Sequence, residues 1–282
     1  MSVTLGDHIT LCAGLMFGLY PQAFYPQLCV IATAVPGLRV SDLGADGERF
    51  LDNERIEGDI PQMLERSLQF VRRNTKNKTI INSQTGKRED MTEYPMTAVR
   101  EAVLNALVHR DYSIHTEGMP IQIQLFDDRM EIRSPGGIYG RITVDQLGKV
   151  QPDTRNPVLA SALEILQITE NRYSGIPMIE KELAKFDMPP VRLEDRRGTF
   201  IVTFYKKDSA ERYDNNCENQ RRAALLQFCE QPRSRDEIAK FLGIKTKGYV
   251  IQHYIKPLLD EGKLTMTIPG QPKSHKQKYK KI

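Results

Sequence analysis

Polar and apolar positions divide the chain into stretches of two periods. Residues Ile121-Gln122-Ile123-Gln124-Leu125-Phe126 alternate, Asp127-Asp128-Arg129 interrupts them, and Met130-Glu131-Ile132-Arg133-Ser134 returns. That pattern predicts a β-hairpin with one buried face. Residues 28–35 form a continuous apolar run with β-branched content, as expected of a buried strand, and 50–58 reads as its return across a loop at 44–48. Residues 197–205 predict a further strand. Helical spacing takes over elsewhere. Asp59-Ile60-Pro61 opens a helix with Asp59 as N-cap, and Met63, Leu64, Leu68 and Val71 fall on its inward face until about Asn74. Asn156-Pro157 starts an apolar helix over 158–166, and another is predicted over 178–186. Residues 9–18 fit either a short buried helix or a strand, and 142–147 a short turn or helix. The polar stretch 76–94 reads as an exposed ribbon or linker, with a strand near 79–82.

Tyr94-Pro95 leads into the most informative helix. It places Glu101, Asn105 and His109 at i, i+4 and i+8, so three polar side chains share one face while Val103, Leu104, Leu107 and Val108 pack inward. A carboxylate beside an amide suits a metal–phosphate site: the carboxylate orients or deprotonates a water, and the amide oxygen is a hard ligand for Mg²⁺. The same spacing also describes a merely solvated stripe. Two glycine loops follow, Pro135-Gly136-Gly137 and Ser174-Gly175. The second feeds a helix whose N-terminus would favour phosphate.

The last stretch has its own character. Residues 217–282 hold fourteen Lys and Arg against six Asp and Glu, a charge of +8 in a chain of net +4, so the remainder carries −4. Its pattern is that of a winged helix. A first helix spans 222–231, and a second begins at Ser234 with Glu237 completing a capping box. A third helix covers 247–261 and is kinked or broken at Pro257. A strand and a basic wing follow. In such a module the third helix enters the DNA major groove and the wing follows phosphates. The exposed candidates are Lys245, Thr246, Lys247, Gln252, His253 and Lys256 on the helix, with Lys273, Lys276 and Lys278 on the wing. Dimerisation or partner docking is the other use of this module.

Composition adds limits. The 282 residues, 27% charged and 40% hydrophobic, fit an ordinary globular protein of two or three domains. No apolar run is long enough for a transmembrane helix, and the N-terminus lacks a signal-peptide pattern. Four widely spaced cysteines suggest neither disulfides nor a zinc site, so a reducing, cytoplasmic setting is expected. No Gly-rich phosphate loop ending in Gly-Lys-Ser/Thr is present, which argues against a helicase motor of the common kind.

The ordered set E-A-V-x-N-A-x-x-H-R-D-Y, S-P-G-G, R-Y-S-G-I-P and R-G-T-F resembles the divergent GHKL-type ATPase-like domain of bacterial ATP-binding transcriptional regulators, often labelled helicase-like. In that group a Schlafen/Alba-type domain precedes the ATPase-like domain and a winged helix follows. The resemblance implies an α+β fold: a mixed sheet with helices on one face, preceded by a partial Schlafen/Alba-type domain over 1–75. A linker or ribbon over 76–94 would lead to the ATPase-like domain over 95–208 and a winged helix over 217–282. It implies ATP and Mg²⁺ as cofactors, Glu101 as the water-activating base and Asn105 as the Mg²⁺ ligand. His109 and Thr199 would join the nucleotide site, Gly136 and Gly137 would line the adenine, and Ser174 and Gly175 would form the phosphate lid. Two departures weaken the case for hydrolysis. Ser134 stands where ordinary members carry an adenine-binding aspartate, and the second loop has a single glycine. The expected function is a DNA-binding regulator, a class in which dimers are common, whose ATPase-like module senses a nucleotide. The alternatives are an ATP-hydrolysing nucleic-acid remodeller and a protein-interaction scaffold.

Overall fold

The computed structural model describes residues 4–81, 88–150, 153–169, 175–207, 222–242, 250–270, 274 and 277–282. The chain divides into two compact units, residues 1–210 and 211–282.

The first unit opens with a short hairpin, β1 (Thr4–Leu5) and β2 (His8–Ile9), and helix α1 (Leu11–Phe17), whose N-cap Thr10 accepts from the Ala13 amide. Strands β3 (Val30–Ala34) and β4 (Asp52–Ile56) pair antiparallel, followed by helix α2 (Ile60–Arg73). Asp59 caps α2 by accepting from the Gln62 amide, as its sequence predicts. The polar ribbon is a hairpin of β5 (Asn77–Ile81) and β6 (Arg88–Thr92). Then come α3 (Met96–His109), β7 (Ile121–Leu125), β8 (Arg129–Pro135), α4 (Pro157–Ile165), α5 (Gly175–Lys185), β9 (Arg192–Arg196) and β10 (Thr199–Tyr205).

Six strands form one mixed sheet in the order β4-β3-β7-β8-β10-β9, in which only the β3–β7 pair is parallel. Segment 1–75, expected as a separate partial domain, supplies two of these strands and two helices, α1 and α2, of the same core. Its apolar strand faces find their cover in α2 and α3, so no division of the core falls at residue 75. Alternation sets the two faces of the sheet. Met130 and Ile132 on β8 and Val202 and Phe204 on β10 face the helices and join one apolar core with α2, α3, α4 and α5. The intervening positions carry charges, as in the Arg129–Glu131–Arg133 ladder on β8 and Arg192–Glu194–Arg196 on β9. Helices thus cover one face, as the resemblance implies.

Two details depart from expectation. Strand β9 has no clear apolar run, and it forms because Arg197 and Gly198, both at positive φ, close a two-residue hairpin onto β10. Helix α5 begins at Gly175 rather than 178; Pro177 lies in its first turn, where the missing N–H has no helical partner to lose.

The second unit comprises helix α6 (222–228), β11 (Arg233–Ser234), α7 (Arg235–Leu242), a π-helical turn Ile251–Ile255 leading into α8 (Lys256–Asp260), β12 (Leu264–Met266) and β13 (Lys278–Lys281). Its antiparallel sheet has the order β11-β13-β12. Helix, strand, helix, helix and a two-stranded wing in this order make a winged helix. Leu225, Ile238, Val250, Ile255 and Leu258 form its own core. The Ser234–Glu237 capping box closes as predicted: the Ser234 amide and hydroxyl donate to Glu237, and the Glu237 amide returns to Ser234 Oγ. Pro257 marks where the π turn gives way to α8.

Candidate functional site

Helix α3 carries the site. Glu101 and Asn105 sit one turn apart and touch, Asn105 Nδ2 donating to Glu101 Oε1 at 3.3 Å. The first residue of α5 closes over this pair. A Cβ added to Gly175 would lie 2.7 Å from both Glu101 Oε1 and Asn105 Nδ2. Of the lid residues anticipated, Gly175 therefore meets the α3 face directly, while Ser174 lies outside the described residues. His109, the third residue of the stripe, ends the helix. Desolvation of its imidazole, and then the nearby Arg155 guanidinium, hold it below its ordinary pKa. Its neutral form is thus favoured at physiological pH, and it is not a standing cation for phosphate.

The last carbonyls of any helix lack helical partners. At the end of α3 three side chains supply them. Ser134 Oγ donates to Ala106 O at 2.9 Å, Tyr112 Oη to Leu107 O at 2.8 Å, and Asn156 Nδ2 to Val108 O at 2.7 Å. Asn156 Nδ2 also donates to Arg110 O at 2.8 Å. Asn156 is the N-cap residue of α4 but makes no side-chain bond there; its amide serves α3 instead. Burial raises the Tyr112 phenol well above its ordinary pKa, so it remains a donor. Ser134 is buried, with its proton on Ala106 O. Ser134 thus joins β8 to α3.

Arg110 is fully buried and fastens the loop that follows. It donates to the carbonyls of Asp111, Thr116 and Met119, and its guanidinium lies 5.1 Å from the Tyr112 ring centre.

The Gly136-Gly137 loop is gripped from two sides. Gly136 has φ +94°, and a Cβ there would fall 1.9 Å from Arg155 Nη1 and 2.5 Å from Asp111 Cβ. Arg155 Nη2 donates to Gly137 O at 2.9 Å, and Nη1 lies 3.8 Å from Asp111 Oδ2. A Cβ on Gly137 would meet the Asp195 carboxylate at 2.6 Å, and Asp195 accepts from the Ile138 amide at 2.9 Å. Desolvation raises the Asp111 carboxyl, but the Ser113 hydrogen bonds and the charges of Arg155 and Arg110 outweigh it and leave the group below the usual carboxylate range. The space that glycine leaves at both positions is therefore occupied by the protein's own charged side chains, where the sequence suggested room for a base. Thr199 is the β10 neighbour of this loop, bridged to Gly136 and paired with Pro135. Phe200 is the residue opposite Ser134, so alternation sends the Thr199 and Ser134 side chains to opposite faces of the sheet. The structure does not bring those two side chains together.

Sequence reasoning missed Arg155, Asn156 and Asp195. Arg-Asn-Pro at 155–157 was legible as a helix start, and nothing local shows that its first two side chains turn back to α3 and the glycine loop.

Among the described residues, Glu101 and Asn105 are the expected groups with oxygen donors suited to Mg²⁺ that the structure brings together. Their chemistry fits a hard cation, and Gly175 lies close enough that a side chain there would meet both. Among the described residues, no group of three His, Cys, Asp or Glu side chains is placed to hold a metal. None of the described helices is long and apolar enough to cross a membrane.

On the winged helix, Lys256 and Lys278 are exposed. Lys245, Thr246, Lys247, Lys273 and Lys276 lie outside the described residues, as do the side chains of Gln252 and His253.

Residues 118–204 match the family described as "Putative ATP-dependent DNA helicase recG C-terminal", and residues 221–281 match "Filamentation induced by cAMP protein Fic-like, C-terminal domain". The chain thus carries an ATPase-like domain of a kind found in transcriptional regulators and helicase-labelled proteins, joined to a Fic-like C-terminal region. The first match begins after α3, so Glu101, Asn105 and His109 stand outside it. Among solved structures, the DIP2311 protein from Corynebacterium diphtheriae is similar in fold, with a TM-score of 0.57 at 19% identity over 90% of this chain. This chain spans 50% of the length of that one. No curated protein matches the sequence.

Proposed function

We propose that this protein is a nucleotide-responsive DNA-binding regulator. The observation that carries the reading is the Glu101–Asn105 pair on α3, faced by the first residue of α5, which lies in the stretch that matches the ATPase-like family. A carboxylate, an amide oxygen and a helix N-terminus converge there, and together they suit a phosphate–cation pair. In this reading Asn105 and Glu101 would hold Mg²⁺, which would neutralise phosphate charge, and the N-terminus of α5 would face the phosphates. Ser134 would present acceptor lone pairs to the adenine amino group, since its proton is held by Ala106 O. In this reading Glu101 would also take a proton from water. Ser134 and the single glycine of the second loop depart from the ordinary pattern, so in this reading binding is the primary activity.

The winged helix supplies the DNA contact. Support comes from its topology, its +8 charge, and the exposed Lys256 and Lys278. Lysines at these sites would meet phosphates and give salt-dependent affinity. The test is duplex binding by fluorescence anisotropy, with and without Mg-ATP. Binding that weakens steeply with salt, shifts in midpoint with Mg-ATP and vanishes when 217–282 is deleted is expected. Unchanged affinity after the deletion refutes the winged helix as the DNA contact, and indifference to Mg-ATP refutes the sensing role.

A further inference from the structure

We propose that Phe241 is a stacking platform for an unpaired base, so that the winged helix takes single-stranded DNA as well as the duplex. The inference extends the DNA contact proposed above and does not depend on the Glu101–Asn105 face. Three observations carry it.

The first is the geometry of two rings. Phe228 ends α6 and Phe241 lies in the last turn of α7. Their rings are nearly parallel, with 4° between the planes and 4.2 Å between the centres. The Arg233 guanidinium lies over the Phe228 ring, 4.5 Å from its centre. A coplanar ring at that distance leaves no room beside it on the same face, so Arg233 covers the face of Phe228 opposite Phe241. The order is Arg233, Phe228, Phe241, a stack closed at one end by a cation.

The second is exposure. Phe228 packs against the core of this unit, whereas Phe241 stands outside that core and is 45% exposed. One face of the Phe241 ring rests on Phe228, so the open area is its outer face and edge. A further flat ring can continue the stack there. The third is charge. Residues 217–282 hold fourteen Lys and Arg against six Asp and Glu. Arg233 is paired with Glu237 at 3.5 Å, which leaves lysines to supply the surplus. Lys240, beside Phe241, is exposed, and Ser234, beside Arg233, pairs across the sheet with the exposed Lys278. An open aromatic face among cations suits a base with its phosphates. Bases inside a duplex are already stacked on their neighbours, so the base that fits is one from a single strand.

Phe241→Leu tests this, because it keeps an apolar side chain and removes the flat ring; Phe241→Tyr keeps the ring. The full chain of each is titrated into a single DNA strand carrying a fluorescent adenine analogue whose emission is quenched by stacking, and separately into a duplex. Melting curves confirm folding, and Phe241→Met replaces the leucine variant if that one unfolds. The wild-type protein and Phe241→Tyr should bind the strand and quench the analogue. Phe241→Leu should lose the quenching and bind the strand about fivefold or more weakly, while duplex affinity stays unchanged. Failure of the wild-type protein to bind or quench the strand overturns the platform, as does undiminished quenching by folded Phe241→Leu. An equal loss on strand and duplex also overturns it. If instead sedimentation shows that Phe241→Leu separates a dimer without changing strand affinity, the ring is a contact between copies and the platform is overturned. Duplex binding that persists in any of these cases leaves the regulator reading standing.

Discussion

Replacing Asn156 by alanine removes one amide group and strands two carbonyls. Its Nδ2 donates to Val108 O at 2.7 Å and to Arg110 O at 2.8 Å, both at the end of α3, where no helical N–H is available. A hydrogen bond of this kind contributes about 0.5–1.5 kcal/mol net. Two bonds, half-buried and thus partly open to replacement by water, bring the expected loss to about 2 kcal/mol. In a unit of this size each kcal/mol moves the melting temperature by roughly 2–4 °C, so the variant should melt about 4–8 °C lower. Differential scanning calorimetry measures it directly. Asn156→Asp sharpens the comparison. It keeps the shape but turns an acceptor toward two acceptors, and it should be less stable than Asn156→Ala at neutral pH. A shift within about 1 °C for Asn156→Ala, or a more stable aspartate variant, would refute the claim that this residue serves α3.

Gly136→Ala meets both a positive φ and the Arg155 guanidinium, so a loss of about 2 kcal/mol or more is expected in urea unfolding, against near-neutral behaviour if the loop is open. Glu131 governs an acid transition. Burial raises its carboxyl, but bonds from Arg133 and Arg129 outweigh this and lower the pKa. A lowered folded pKa gives stability above the unfolded value that is lost as pH falls through the folded one. Glu131→Gln should therefore be less stable at pH 7 and show a shallower decline between about pH 5 and pH 3; an unchanged slope contradicts the assignment. Reversing both Lys256 and Lys278 to glutamate should reduce the dependence of log duplex affinity on log salt by about 2, and an unchanged slope would place the phosphate contacts elsewhere.

Much of the fold was legible because hydrophobic period encodes local structure. The Ile121–Leu125 and Arg129–Pro135 hairpin, the Asp59 cap of α2 and the Ser234–Glu237 box all stood in the residues themselves. The single sheet spanning residues 30–205 was not legible, because the parallel pairing of β3 with β7 is set by packing across ninety residues of chain and leaves no local mark. The site was legible in part. Spacing alone placed Glu101 beside Asn105, since three and four residues make one helical turn. The roles of Ser134, Gly136 and Gly137 were less accessible. Each depends on a partner remote in sequence: Ala106 for the first, Arg155 for the second, Asp195 for the third. A glycine spared for a ligand and a glycine spared for an internal guanidinium look identical in sequence.

The central claim is that the Glu101–Asn105 face binds a magnesium nucleotide, and calorimetric titration of the full chain with ATP tests it most directly. The account predicts saturable binding that needs Mg²⁺ and is lost in a folded Asn105→Ala variant. Absence of heat and of thermal stabilisation at millimolar Mg-ATP, or binding that survives Asn105→Ala undiminished, would contradict it.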